Sequence, residues 1–272
     1  MEHLLSAWRT VAGQLKGARH ILLLSDYDGT LTPIVERPEL ATLPERTREL
    51  LRGLSRQRRF TVGIVSGRAL ADLKDKVGIE GIIYAGNHGL EIDGPGLRFV
   101  NPLAEEVRPF FQVVSGVLKL ALGTIRGVLI EDKGLTLSVH YRQVAESETK
   151  EVKNVFERIT TSAQALGKVR TTSGKKVLEV RPAVDWDKGK AIRLLMKRYG
   201  RGGRNSGLMP VYLGDDLTDE DGFRVIEKYG NGLSVFIGEE PGESVARYFL
   251  KSTEEVAEFL GLLLEDSQRG LA

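Results

Sequence analysis

Cysteine is missing altogether from these 272 residues. Its absence excludes disulfides, zinc thiolates and a cysteine nucleophile, so any metal must be held by oxygen or by one of only four histidines. No apolar run reaches the length that spans a bilayer. Neither charge is in excess: 39 Lys and Arg face 37 Asp and Glu, a formal net charge of +2. Near-balance gives no support for a nucleic acid or a membrane surface as partner. Two basic clusters, RGLSRQRR at 52–59 and RYGRGGR at 198–204, carry no interleaved aromatics and read as solvated helix ends. The opening MEHLLSAWRTVAGQLKGARH lacks a cationic start, a long apolar stretch and a small-residue cleavage site. It therefore reads as a short amphipathic helix and not as a secretory signal. A cytoplasmic enzyme is the expectation.

What is present is ordinary in bulk, with 41% apolar and 28% charged residues, and long enough for one large domain or two modest ones. The order of patterns is more informative. ILLLS (21–25) is an apolar run without polar alternation, as in a strand covered on both faces. PERTRELLRGLSRQ (44–57) has helical spacing, with Pro44 suited to the first helical position. FTVGIV (60–65), a short helix at 69–77 and IIYA (82–85) come next. Strand, helix, strand, helix, strand predicts a parallel sheet with helices on both faces.

The rhythm then changes. GLEIDGPGLRFV (89–100) predicts a hairpin, and 103–122 a long helix with Leu103, Val107, Phe110, Val114 and Leu118 on one face. A hairpin at 127–142, a charged helix at 147–166 and a hairpin around Ser173-Gly174 complete a compact α+β unit. After Pro182 the α/β rhythm resumes: helix 187–199, loop RGGRNSG (201–207), strand 210–214, helix 218–228, strand 233–238 and helix 253–264. The expected domains are a split core, 1–101 with 183–272, and an insert, 102–182, with hinges near 101–103 and 182–186, where Pro102 and Pro182 mark the crossings.

Chemistry concentrates where strands end. Ligands of open α/β sheets bind beyond the carboxyl ends of the strands. Asp26 and Asp28 come after the first strand, Ser66 after the second, and Asp215 and Asp216 after a later one. If those strands are neighbours, four carboxylates and a hydroxyl converge. Two unit charges about 4 Å apart repel by roughly 4 kcal/mol at an effective dielectric of ~20. A hard cation with oxygen ligands, such as Mg²⁺, removes that cost and also binds a phosphate. Asp26 is then placed to attack phosphorus and form a phosphoaspartate. Asp28 is placed to protonate the leaving oxygen and later to activate water. Ser66 offers a hydroxyl to a phosphoryl oxygen, and Lys188 in DWDKGKA a positive charge.

These motifs resemble the four signatures of the haloacid-dehalogenase phosphatase superfamily. DYDGTLTPI, SGR, AGNHGLEI, EDKGLTLSVHYR, GKKVLEVRP, DKGKA and YLGDDLTDEDGF resemble, more closely, the trehalose-6-phosphate phosphatases, from about residue 20 to 238. The resemblance implies an α/β fold, a Rossmann-like parallel-sheet core with an inserted α+β cap that closes over the site. It implies Mg²⁺-dependent hydrolysis of trehalose 6-phosphate, a disaccharide phosphate, to trehalose and phosphate. By the same resemblance Asp26, the Asp28 backbone carbonyl and Asp215 hold the metal, with Asp216 and Asp219 acting through water or behind the ligands. Arg68, Asn87 and His88 from the core, and Glu131, Lys133, Arg142, Lys175 and Glu179 from the cap, match positions expected to grip the sugar. The chain lacks the synthase domain of some relatives, so it is expected to act on sugar phosphate made by a separate synthase.

Other readings of the same residues stay open. Ser66 would also serve as N-cap of helix 69–77, and Thr218 or Asp219 as cap of the helix after GDDLTDED. His88 suits a turn, His140 suits packing while sharing a strand face with Arg142, and Glu179 suits a pair with Arg181. The core motifs fit related substrates, namely sucrose 6-phosphate, glucosylglycerol phosphate or mannosyl-3-phosphoglycerate. They also fit a phosphomutase and, more remotely, a non-catalytic module that binds sugar phosphate.

Overall fold

A computed structural model describes residues 1–174, 176–200, 207–240 and 242–269. It comprises two compact units, 1–98 with 186–272, and 99–185. In the first unit, β1 (Glu2–His3) and α1 (Trp8–Gly17) precede β2 (His20–Ser25), α2 (Glu45–Ser55), β3 (Phe60–Val65), α3 (Leu70–Val77) and β4 (Ile83–Gly86). A hairpin of β5 (Glu91–Gly94) and β6 (Leu97–Val100) leads out. The second unit holds α4 (Pro102–Glu106), α5 (Arg108–Leu122), β7 (Leu129–Asp132), β8 (Leu137–His140), α6 (Glu146–Ala165), β9 (Val169–Gly174) and β10 (Val177–Pro182). The chain returns through α7 (Lys188–Tyr199), β11 (Leu208–Gly214), α8 (Glu220–Tyr229), β12 (Leu233–Ile237), β13 (Tyr248–Leu250) and α9 (Thr253–Arg269).

The first unit is built on a nine-stranded sheet ordered β1-β13-β12-β11-β2-β3-β4-β5-β6. Its pairs from β1 to β4 are parallel, and β5 turns back antiparallel to β4. Period two sends alternate residues of each strand to opposite faces. Ile21 and Leu23 of β2, Val62 and Ile64 of β3, and Val211 and Leu213 of β11 join one core with α1, α2, α3 and α9. Leu22, Leu24 and Tyr212 are equally buried but stand apart from that cluster, on the face where α7 and α8 pack. Both faces are covered, which is why β2 reads as an unbroken apolar run.

Register sets the site. Ser25, the last residue of β2, pairs with Leu213 of β11 on one side and Ile64 of β3 on the other. The three strands therefore end level, and the loops that leave them share one edge of the sheet. From β2 the chain proceeds to β3 and β4 on one side, whereas β11 to β13 lie on the other. The residues after β2 thus stand at a topological switch point.

The second unit is a four-stranded antiparallel sheet, ordered β7-β8-β10-β9, with α5 and α6 on one face. Phe111, Leu118, Val152 and Phe156 of the helices pack on Leu137, Val139, Leu178 and Val180 of the strands.

Several expectations need correction. The single helix over 103–122 is two, meeting at Val107 (φ −94°, ψ 0°), because Pro109 has no N–H to donate back and its ring crowds the preceding turn. Leu103 is exposed, and Phe111 and Leu122 join Val114 and Leu118 in the buried face. Pro44 precedes α2 instead of opening it; its ψ of 138° is extended. Pro182 is still in β10, paired with Val169, so the crossing between units comes after it. The edge strand β1 and its neighbour β13 are too short to show a period in sequence. The loop expected at 201–207 lies, apart from Gly207, outside the described residues. Among the described residues no helix is long and apolar enough to cross a membrane.

Candidate active site

The loop after β2 is shaped by its own backbone. Leu31 and Thr32 both donate N–H to the Tyr27 carbonyl at 3.0 Å, and Gly29 donates to Thr32 at 2.7 Å. Gly29 has a φ of +87°, and a Cβ there would lie 2.1 Å from Asp215 Oδ2. Glycine is therefore required twice over, for conformation and for the approach of the Asp215 carboxylate. Thr30 Oγ1 donates to that carboxylate at 3.3 Å.

Asp26 and Lys188 are both buried, 5% and 3% exposed, and their Oδ1 and Nζ are 2.8 Å apart. Lys188 opens α7, whose N-cap Asp187 accepts from the Lys190 N–H at 2.7 Å. Its ammonium also donates to Asp219 Oδ1 at 2.7 Å. The Tyr212 hydroxyl donates to the same oxygen. Asp219 Oδ2 accepts the backbone N–H groups of Asp215 (3.0 Å) and Asp216 (3.2 Å). A carboxylate has about four acceptor sites. All four on Asp219 are thus taken, and it holds Lys188 and the 215–216 turn in place. It does not cap α8 with its side chain. Asp216 accepts from the N–H (2.8 Å) and hydroxyl (2.7 Å) of Thr218, within the turn.

Electrostatics mark the cluster as short of positive charge. Burial pushes Asp26 well above the usual carboxylate range; Lys188 pulls it down, and Asp219, Asp215 and Asp216 push it further up. Burial, then Asp219 and Asp216, push Asp215 up to about 7. Burial opposes the charge of Lys188, but Asp219 and Asp26 outweigh it and hold the ammonium well above the usual lysine range. Oxygens of Asp26, Asp215 and Asp219 lie within 4.8 Å of one another. Three carboxylates and one ammonium leave an excess of two negative charges. Oxygen-only donors with that deficit fit a hard divalent cation. Asp26 and Asp215 retain acceptor sites for it, whereas those of Asp219 are used up.

Asp28 is held apart from Asp26. Its two oxygens receive Arg68, Nε at 2.7 Å and Nη2 at 2.6 Å. Ser66, 1% exposed, accepts at Oγ from the Arg68 N–H (3.2 Å). It leaves the N-cap of α3 to Ala69, which makes no side-chain capping bond. Asn87 and His88 both have left-handed backbones (φ +50° and +58°), which cost of order 1 kcal/mol each outside glycine. Asn87 is buried and donates to Glu91 at 2.8 Å. The His88 ring lies where a Cβ on Gly67 would fall, 2.7 Å from Cε1, so glycine after Ser66 lets the loops after β3 and β4 touch.

The second unit carries its own polar constellation. On the sheet face opposite its helices, Glu131, Ser138, Glu179 and Thr172 form one transverse row. Lys133 lies 3.6 Å from Glu131 and 3.9 Å from Glu179. His140 contacts Glu131 at 3.1 Å, so it is a polar member of this face and not part of the core. Arg181 donates to Glu179 at 3.0 Å. Arg142 is exposed and lies beyond the end of β8, so strand alternation does not govern it. Lys175 lies outside the described residues. Tyr212, Thr30 and Asp72, the last an Arg68 partner at 2.8 Å, escaped sequence reasoning. For Tyr212 the signal was there: in PVYLG it alternates with Val211 and Leu213, onto the face that meets α7.

Residues 24–254 match the family model described as trehalose-phosphatase. A probable trehalose-phosphate phosphatase of Oryza sativa subsp. japonica is 38% identical over 276 residues, covering 95% of this chain and 73% of the relative. A trehalose 6-phosphate phosphatase of Zea mays is 37% identical over 255 residues, covering 89% of this chain and 69% of its own. Among solved structures, the C-terminal domain of the Candida albicans trehalose-6-phosphate phosphatase superposes with a TM-score of 0.79 at 27% identity, covering 94% of this chain and 96% of that one.

Proposed function

The chain belongs to the trehalose-phosphatase family, and we propose that it hydrolyses trehalose 6-phosphate to trehalose and phosphate through an aspartyl-phosphate at Asp26, with Mg²⁺. The observation that carries the mechanism is the Asp26–Lys188–Asp219 chain at the switch point, with Asp215 beside it. When bound, Mg²⁺ supplies the charge that lets a phosphate dianion approach carboxylates, held by Asp26, Asp215 and the Asp28 carbonyl.

The remaining steps belong to the chain's own residues. An Asp26 oxygen attacks phosphorus as the bond to the sugar oxygen breaks, and Asp28 gives that oxygen a proton. In the second step Asp28 takes a proton from water, which attacks the phosphoaspartate and releases phosphate. Ser66 and Lys188 bind the phosphoryl oxygens, Lys188 staying charged because Asp219 and Asp26 hold its proton. Asn87, His88, Glu131, Lys133, Arg142, Lys175 and Glu179 supply the sugar contacts.

Phosphate release from a panel of sugar phosphates, run with Mg²⁺ and with EDTA, tests this reading. Metal-dependent release confined to trehalose 6-phosphate is expected. Preference for sucrose 6-phosphate or mannosyl-3-phosphoglycerate would keep the chemistry and move the substrate.

A further inference from the structure

Arg68, like Asp219, makes four side-chain hydrogen bonds beside the reacting groups without itself being placed to react. It is 5% exposed. Nε and Nη2 fork onto the two oxygens of Asp28 at 2.7 and 2.6 Å, Nη1 donates to Asp72 at 2.8 Å, and Nη2 also reaches the Pro38 carbonyl at 2.9 Å. Its guanidinium carbon stands 5.2 Å from the centroid of the Tyr27 ring. Its own backbone is pinned as well, the N–H by Ser66 Oγ and the carbonyl by the Asn87 N–H at 2.7 Å. One residue thereby ties together the loop after β2, the turn at Pro38–Leu40, the first turn of α3 and the loop after β4.

A group so committed is poorly suited to gripping a sugar: four of its five N–H donors are taken, so any grip of more than one bond would cost one already made. It is well suited to fixing another group. Arginine presents a planar fork that matches a carboxylate in two parallel bonds, which sets orientation as well as charge. The Asp28 side chain keeps 40% exposure against 6% for Arg68, so the fork holds the carboxyl from its buried side and leaves it accessible. Each carboxyl oxygen has two lone pairs, and the fork engages one of them.

We propose that Arg68 is a positioning residue, which fixes the Asp28 carboxyl where it can hand its proton to the leaving sugar oxygen. The inference rests on the reading of Asp28 as acid. In that step the bond from Asp26 to phosphorus forms, the bond from phosphorus to the sugar oxygen breaks, and the Asp28 proton ends on the sugar hydroxyl. Misplacing the carboxyl therefore slows the first step, which kcat/KM reports, only for substrates whose leaving group needs that proton; the later work of Asp28 as base is common to all substrates and falls on kcat.

The test compares kcat/KM on trehalose 6-phosphate and on 4-nitrophenyl phosphate, whose leaving group departs without a proton. Positioned acids contribute about 10²–10⁴-fold. Asp28→Asn is expected to lose at least about 10²-fold on the sugar phosphate and far less on the aryl ester, on that same range. Arg68→Ala shows the same pattern, and the double variant falls no further than Asp28→Asn alone. Arg68→Lys, which keeps the charge but not the fork, shows a smaller loss of the same selectivity and serves if Arg68→Ala does not fold. Asp72→Asn, which loosens Arg68 without touching Asp28, loses less again. Equal losses on both esters, a rise in KM alone, or multiplying losses in the double variant would overturn the proposal. Failure of the functional reading shows separately, as wild-type protein that releases no phosphate from any sugar ester.

Discussion

The two units hold polar groups in opposite ways. At the end of the parallel sheet, Asp26, Lys188 and Asp219 are at most 5% exposed and joined by short bonds to one another. On the antiparallel sheet, the Glu131, Lys133 and Glu179 side chains are 26%, 8% and 15% exposed, and the ammonium–carboxylate distances are longer, 3.6 and 3.9 Å. Buried, saturated networks are rigid, because no alternative partner repays a broken bond. Looser pairs, beyond normal hydrogen-bond length and with part-exposed carboxylates, hold their members less strictly. The first arrangement suits groups that must meet a transition state without reorganising; the second leaves its carboxylates more room to change partners.

The contrast can be broken by substitution. Asp26→Asn should lower kcat by at least about 10⁴-fold with little change in substrate binding, as removal of a nucleophile does; phosphate release under saturating substrate measures it. Retained turnover would remove the nucleophile from the account. Asp219→Asn leaves the buried Lys188 ammonium short of a partner. Breaking a buried pair costs about 3–5 kcal/mol, so a lower denaturation midpoint is expected together with lost activity. An unchanged midpoint would mean that Asp219 is not the organiser of the site.

Acidity sharpens the same contrast. Burial and its carboxylate neighbours raise Asp215 from 3.8 to about 7 in the folded, metal-free chain. A group with a raised folded value contributes stability that is full below its unfolded value and is lost as pH rises through about 7. In EDTA the melting temperature should therefore fall between pH 5 and 8 by more than in Asp215→Asn. Mg²⁺ should restore more stability at pH 8 than at pH 6, since cation and proton compete for one carboxylate. A metal effect independent of pH would contradict the charge deficit. The smallest effect is expected in the second unit: Arg142→Ala, exposed and beyond β8, should raise KM about tenfold, roughly 1.4 kcal/mol, with kcat and melting temperature nearly unchanged. A matching loss of kcat would place Arg142 in the chemistry.

Much of this was legible in order and composition. Leu22 to Leu24 announce a strand covered on both sides, and Asp26, Asp28 and Gly29 announce a loop that brings carboxylates to its end. The neighbours β1 and β13 were not legible, since two or three residues carry no period. The break at Val107 was written in Pro109 but masked by the apolar spacing around it. Arg68 was matched to a ligand-facing position because Asp28 and Pro38 are separated from it by stretches of chain that only folding closes, although Asp72 lies just one helical turn on.

By itself, then, the sequence determined which strands are buried, which residues come after each of them, and the absence of thiol chemistry. These are local properties, carried by the period of apolar residues and by the residue types at strand ends. Tertiary structure alone decided that β11, β2 and β3 are neighbours ending level, and that Asp219 is used up on Lys188, Tyr212 and two backbone amides. It also decided that Arg68 faces Asp28. The reason is physical: the hydrogen-bonding capacity of a carboxylate or guanidinium is written in its chemistry, but which partners fill it depends on strand order and register, and these are settled by packing between segments far apart in the chain.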